Sequence, residues 1–79
     1  MKLSLEEVIE KFSERQTELQ TDPSANQLKT ILGDIIYKLR DNDVIGAFNT
    51  AHRAYDKAND RDKIKIEMYI EYMELFLQK

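Results

Sequence analysis

Cysteine is absent from this 79-residue chain, so neither a disulfide nor a cysteine-based metal site can support it. Glycine occurs twice and proline once, which leaves long stretches free of the residues that interrupt helices. The two glycines stand apart, so no phosphate-cradling loop can be built from them. One histidine and three serines are too few parts for nucleophilic or acid–base catalysis, and the chain is expected not to be an enzyme. No apolar run approaches the ~20 residues that cross a bilayer. The start, Met1-Lys2-Leu3, leads directly into Ser4, Leu5, Glu6 and Glu7 instead of an apolar signal core. A basic excess is also missing: the net charge of -3 argues against a general nucleic-acid binder. The expectation is a small cytoplasmic protein, or one peripheral at the inner membrane face, with no cofactor and no small-molecule substrate.

What is present is helix pattern with clear punctuation. Ser4 and Glu7 form an S-x-x-E capping box, with Leu3 and Val8 placed to staple it. Leu5, Val8, Ile9, Phe12 and Leu19 then recur at helical spacing, with Gln16 interrupting their stripe. Thr21-Asp22-Pro23 stops the first segment and starts a second, Pro23 at a first helical position and Asp22 as its cap. The second segment places Leu28, Ile31, Leu32, Ile35, Ile36 and Leu39 in an arc of roughly 140°. Gly33 falls opposite that arc and is expected to weaken the helix without shaping the core. After the turn Asp41-Asn42-Asp43, a third segment gathers Val44, Ala47, Phe48, Ala51, Ala54, Tyr55 and Ala58 on one face. Its four alanines would let another helix approach closely. Asp62 is expected to cap the last segment, KIKIEMYIEYMELFLQK, whose strand-like opening gives way to helical spacing.

Connections this short make consecutive helices antiparallel neighbours, and the expected fold is an all-α, antiparallel four-helix up-down bundle. The alternative is a three-helix bundle with a frayed first segment. Either way residues 1–79 form one domain.

Two D-x-D stretches raise the question of calcium. In the stretch from Asp41, Ile45 occupies a ligand position and His52 the place of the bidentate glutamate. In that from Asp60, Ile64 and Lys65 replace a ligand and the glycine. Both read as turn and cap aspartates, and no metal site is expected. His52 lies at the edge of the third segment's apolar face beside Ile45, where a histidine covering the core rim is the plain reading and a pH switch the other.

Two surface features are candidates for binding. Lys63, Glu67, Glu71, Glu74 and Gln78 share an arc of roughly 80°, and apolar residues fill most of the remaining circumference, interrupted by Lys65. One apolar side, with Ile66, Tyr69, Ile70, Met73, Phe76 and Leu77, has the spacing of a core face. The second, with Ile64, Met68, Tyr72 and Leu75 and the adjoining Lys65, either packs on another helix of the bundle or recognises a partner. That partner would be another protein or a second copy of this chain, giving a homodimer. The other feature is a basic junction of Arg53, Lys57, Arg61 and Lys63, diluted by Asp56, Asp60 and Asp62. It could meet an acidic partner or an anionic membrane surface, or be two solvated helix ends.

The stretches DPSANQLKTILGDIIYKLRDNDVIGAFNTAHRAY and NDRDKIKIEMYIEYMELF resemble bacteriocin immunity proteins of the enterocin A immunity type. The likeness lies in a short first helix, a Leu/Ile-rich second helix ending near K-L, a third with small residues, a brief polar turn and a final helix. It implies a four-helix bundle that protects the producing bacterium from its own pore-forming peptide. Protection in that family acts without catalysis at a membrane receptor, a mannose phosphotransferase permease. Family specificity is associated with the C-terminal part, which maps here onto Lys63 to Lys79, without the further tail that longer members carry.

Overall fold

Three of the four helices begin where a side-chain oxygen replaces the missing carbonyl of a preceding turn, and the other, residues 26–40, follows directly on a capped turn. The computed structural model describes residues 4–77 and contains four helices: α1 (Leu5–Leu19), α2 (Asn26–Arg40), α3 (Val44–Lys57) and α4 (Asp60–Leu77). The proposed staple partner Leu3, the side chain of Leu77, and Gln78 lie outside what it describes. At α1 the capping box is complete: Ser4 Oγ accepts from the Glu7 N–H at 3.2 Å, and the Ser4 N–H donates to Glu7 Oε1 at 3.3 Å. Asp22 and Pro23 start a 3-10 turn, Pro23–Ala25, and not α2 as expected, which begins at Asn26 without a side-chain cap. Asp22 accepts from the Ser24 N–H at 3.0 Å and its hydroxyl at 2.6 Å.

The three residues between α2 and α3 both end one helix and start the next. Asn42 adopts φ 63°, and the Asn42 and Asp43 N–H groups donate to the Leu39 and Lys38 carbonyls at 3.0 and 2.7 Å. This is a Schellman ending, in which asparagine tolerates the left-handed position better than most residues. Asp43 then turns its carboxylate onto the Gly46 N–H at 2.9 Å to cap α3. A Cβ on Gly46 would meet that carboxylate, so the glycine makes room for the cap.

The last helix begins earlier than expected, and its cap is not Asp62. Asn59 Oδ1 accepts from the Asp62 N–H at 2.8 Å, while Asp62 lies within the first turn and is buried. Asn59 has its side chain at the right distance ahead of the chain's third helical N–H; Asp62 is that N–H's own residue.

Packing closes the four helices into a ring, α1 on α2, α2 on α3, α3 on α4 and α4 back on α1. With connections this short, that ring is an up-down bundle of antiparallel neighbours. α1 is fully formed, so the three-helix alternative does not hold. Val8, Phe12, Leu32, Ile35, Leu39, Ile66 and Met73 are the largest enclosed side chains. Burying each contributes about 1.5–3 kcal/mol of transfer free energy. Ala47 and Ala51 have no exposed surface, which brings α3 close to its neighbours as its small residues suggested.

Gly33 has a role the helical wheel hid. Gln16, the polar break in the α1 stripe, donates from Nε2 to the Lys29 carbonyl of α2 at 3.2 Å. That amide crosses directly over Gly33, where a Cβ would lie 3.1 Å from it. The residue therefore lies outside the core, as expected, but makes room for Gln16 at the α1–α2 seam. Gly33→Ala should gain helix propensity but crowd Gln16. In a Gln16→Ala background the same change should stabilise by about 1 kcal/mol, and in the parent by clearly less, as measured by urea denaturation. Equal gains in both backgrounds would remove the contact from the account.

Candidate functional site

α4 differs from its neighbours in spreading apolar residues around most of its circumference. Ile66, Tyr69, Ile70 and Met73 are buried in the core, and Phe76 packs against it. On the other side Ile64, Met68 and Leu75 remain 66%, 48% and 39% exposed. These three residues run about 16 Å along the helix at 1.5 Å per residue. Ile64 is mostly open, whereas Met68 and Leu75 are each more than half covered by the described chain and keep only their outer sides exposed. Tyr72 leaves the stripe: it is half-buried and meets Phe12 of α1 edge-to-face, ring centroids 6.2 Å apart. Lys65 is half-buried and faces the turn between α1 and α2, beside Asp22 and Ser24.

Between α1 and α4 the exposed stripe borders a groove of about 220 Å³. Its walls are Phe12, Met68, Tyr69 and Tyr72, and its rim is set by Lys11, Glu14, Arg15 and Glu18. Phe12 also meets Tyr69 edge-to-face at 5.7 Å, a favourable aromatic geometry. The Tyr69 hydroxyl is buried and makes no hydrogen bond within the described residues. Burial pushes its pKa above the ordinary tyrosine value, and the Arg15 guanidinium opposes part of that shift. Arg15 is near enough to point an N–H toward the hydroxyl oxygen without a well-formed bond, which leaves the O–H itself without an acceptor. Arg15 gives its well-formed hydrogen bond to Glu18, at 3.1 Å.

The basic junction is divided by the fold. Lys63 lies over the Tyr55 ring, Nζ 5.3 Å from its centroid, which ties it to α3 by a cation–π contact. Arg61 reaches the recess containing Asp22 and Asp62, on the α1–α2 side. Lys57 borders a different shallow recess with Ile31 and Ala54, and Arg53 is exposed. Ser24 hydrogen bonds hold the Asp22 carboxyl below its usual pKa. Asp43 and Asp62, from the two D-x-D stretches, are a helix cap and a buried first-turn residue. Asp62 Oδ1 has no hydrogen-bond partner within the described residues. His52 is exposed and stacks on Phe48, 6.3 Å between ring centroids, so it covers one aromatic of the core rim. No cluster of three or more His, Asp or Glu suited to a metal ion occurs among the described residues, and no helix there is long and apolar enough to cross a membrane.

Sequence reasoning did not find the Tyr69 hydroxyl or Arg15, because helical spacing ranks Tyr69 simply as core and Arg15 simply as charged. The one available signal was the Arg15–Glu18 spacing of three, which suits an ion pair.

The two sides of α4 should respond differently to charge. Met68→Glu and Leu75→Glu are expected to shift unfolding stability by no more than about 0.5 kcal/mol. Met73→Glu should abolish the folded circular-dichroism transition by burying an unpaired carboxylate. Loss of folding in Met68→Glu would place that residue in the core. Comparison with protein-family models, curated proteins and solved structures found no match to this chain.

Proposed function

We propose that this chain acts as an immunity-type protein that protects its host without catalysis, by docking α4 onto a membrane receptor complex such as a mannose phosphotransferase permease. The observation that carries the reading is the solvent-facing stripe of Ile64, Met68 and Leu75 on a helix whose opposite side is core. Apolar side chains aligned on one rigid helix favour recognition of another protein, and methionine adapts its shape to a partner. The resemblance in apolar spacing to the enterocin A immunity type supplies the partner class.

The stripe offers at most a few hundred Å² of apolar surface, short of the ~800 Å² per partner typical of a stable complex. This favours a contact completed by polar neighbours such as Arg61, Lys65 and Glu71 over a tight self-associating face. Self-association through the same stripe is the second reading, since its exposed apolar surface also suits a second copy. Sedimentation distinguishes the two: a stable dimer dispersed by Met68→Glu would assign the stripe to homodimerisation.

Expression in a bacteriocin-sensitive strain, challenged with pore-forming peptides, tests the leading reading. Protection is expected against at least one peptide encoded beside the gene. It should be lost in Met68→Glu and Leu75→Glu and kept in Ile45→Ser, whose side chain is 76% exposed on α3. Absence of protection against every such peptide would overturn the proposal.

A further inference from the structure

The α1–α4 groove contains a donor without an acceptor. The Tyr69 side chain is 4% exposed, its hydroxyl unpaired, and it forms part of the wall of a cavity of about 220 Å³. A buried hydroxyl left unpaired is costly, so native proteins leave few of them. Arg15 lies beside it and supplies further N–H donors. Around these donors the surfaces are aromatic or thioether: Phe12, Tyr72 and Met68.

We propose that this groove is a binding pocket for an apolar or aromatic body carrying a carboxylate, received jointly by the Tyr69 hydroxyl and the Arg15 guanidinium. A phenolic O–H and a planar guanidinium fork are a donor set matched to two carboxylate oxygens. The cavity is smaller than the 300–1,000 Å³ of drug-sized sites, which limits the body to about one large side chain. Lys11 on the rim adds a second positive charge. Two carboxylates, Glu14 and Glu18, share that rim, so selectivity for an anion depends on the Tyr69 and Arg15 donors and not on a net positive field. Glu18 is held only by an exposed pair, its side chain 63% accessible. Such pairs are weak, so Arg15 can turn from Glu18 to the ligand while Glu18 returns to water. The hydroxyl has no surface of its own, so its neighbour Arg15 must move for a ligand to reach it.

The recess at the other end of the seam, with the unpaired Asp62 oxygen, was the rival site. The unpaired atom there is an acceptor on a carboxylate, and the cations Arg61 and Lys65 line the same recess, so its charge is answered within the chain. The same carboxylate chemistry can come from a free organic acid or from the C-terminus of a polypeptide. The proposal does not depend on docking by the outer stripe of α4, and its test leaves that stripe intact.

Titrating the isotope-labelled protein by NMR at pH 7 with 3-phenylpropionate, 3-phenylpropionamide, phenethylamine and an acetylated tripeptide ending in free phenylalanine separates the possibilities. The acid should shift the Phe12, Arg15 and Tyr69 signals saturably in the millimolar range. The amide should bind at least 10-fold more weakly, and the amine not at all. A tripeptide tighter than the acid would identify a polypeptide C-terminus as the source, and the reverse a free acid. Tyr69→Phe keeps the ring and should weaken acid binding about 10-fold. Arg15→Met, at a partly exposed position, should do the same and carries the test if Tyr69→Phe fails to fold. No saturable binding of either carboxylate, equal binding of acid and amine, or unchanged binding in Arg15→Met would overturn the assignment.

Discussion

In a ring of four helices each helix has two neighbours, and those neighbours can cover only the arc between them. α4 has more apolar surface than that arc, and the arrangement of the molecule follows from this mismatch. Its best-spaced residues, Ile66, Tyr69, Ile70 and Met73, take the covered side and complete the core around Phe12, Leu32 and Ile35. Ile64, Met68 and Leu75 are left outside. The outer sides of these residues add nothing to the core of a small domain that has little stability to spare.

The seams are unequal for a related reason. α1–α2, α2–α3 and α3–α4 are joined by short connections, and each is fixed by caps whose geometry leaves little freedom: Asp22, Asp43 and Asn59. The α1–α4 seam joins elements far apart in sequence and has no connection to fix it. Its imperfections gather there: the groove, the exposed Arg15–Glu18 pair and the unpaired Tyr69 hydroxyl. The loose seam and the uncovered stripe lie side by side through Met68, which belongs to both.

Much of the fold was legible because each segment is amphipathic and each turn carries cap residues. The capping box at Ser4 and Glu7, the restart at Asp22-Pro23 and the buried alanines of α3 all follow from local chemistry that a sequence displays directly. Contacts across helices were not legible. Gln16 looks like a flaw until the Lys29 carbonyl stands opposite it, and Gly33 looks idle until that amide crosses it. Asp62 has a side chain that favours a cap position, which is why the sequence points to it. Asn59 stands three residues earlier with an equally suitable oxygen, and only the backbone path chooses between them. Tyr72 lies at the boundary between the two sides of α4, where a helical wheel cannot decide, and the ring of Phe12 decides it. The division of the basic junction likewise depends on where Tyr55 stands.

Methionine oxidation reports on both sides of α4 at once. Brief exposure of the folded chain to peroxide, followed by mass spectrometry, should convert Met68 to sulfoxide quickly and leave Met73 protected, since sulfur access governs the rate. Addition of membranes bearing the receptor complex should then slow Met68 and leave Met73 as it was. Equal oxidation of the two in the folded chain, or a Met68 rate untouched by those membranes, would contradict the view that the open side of α4 is the working surface.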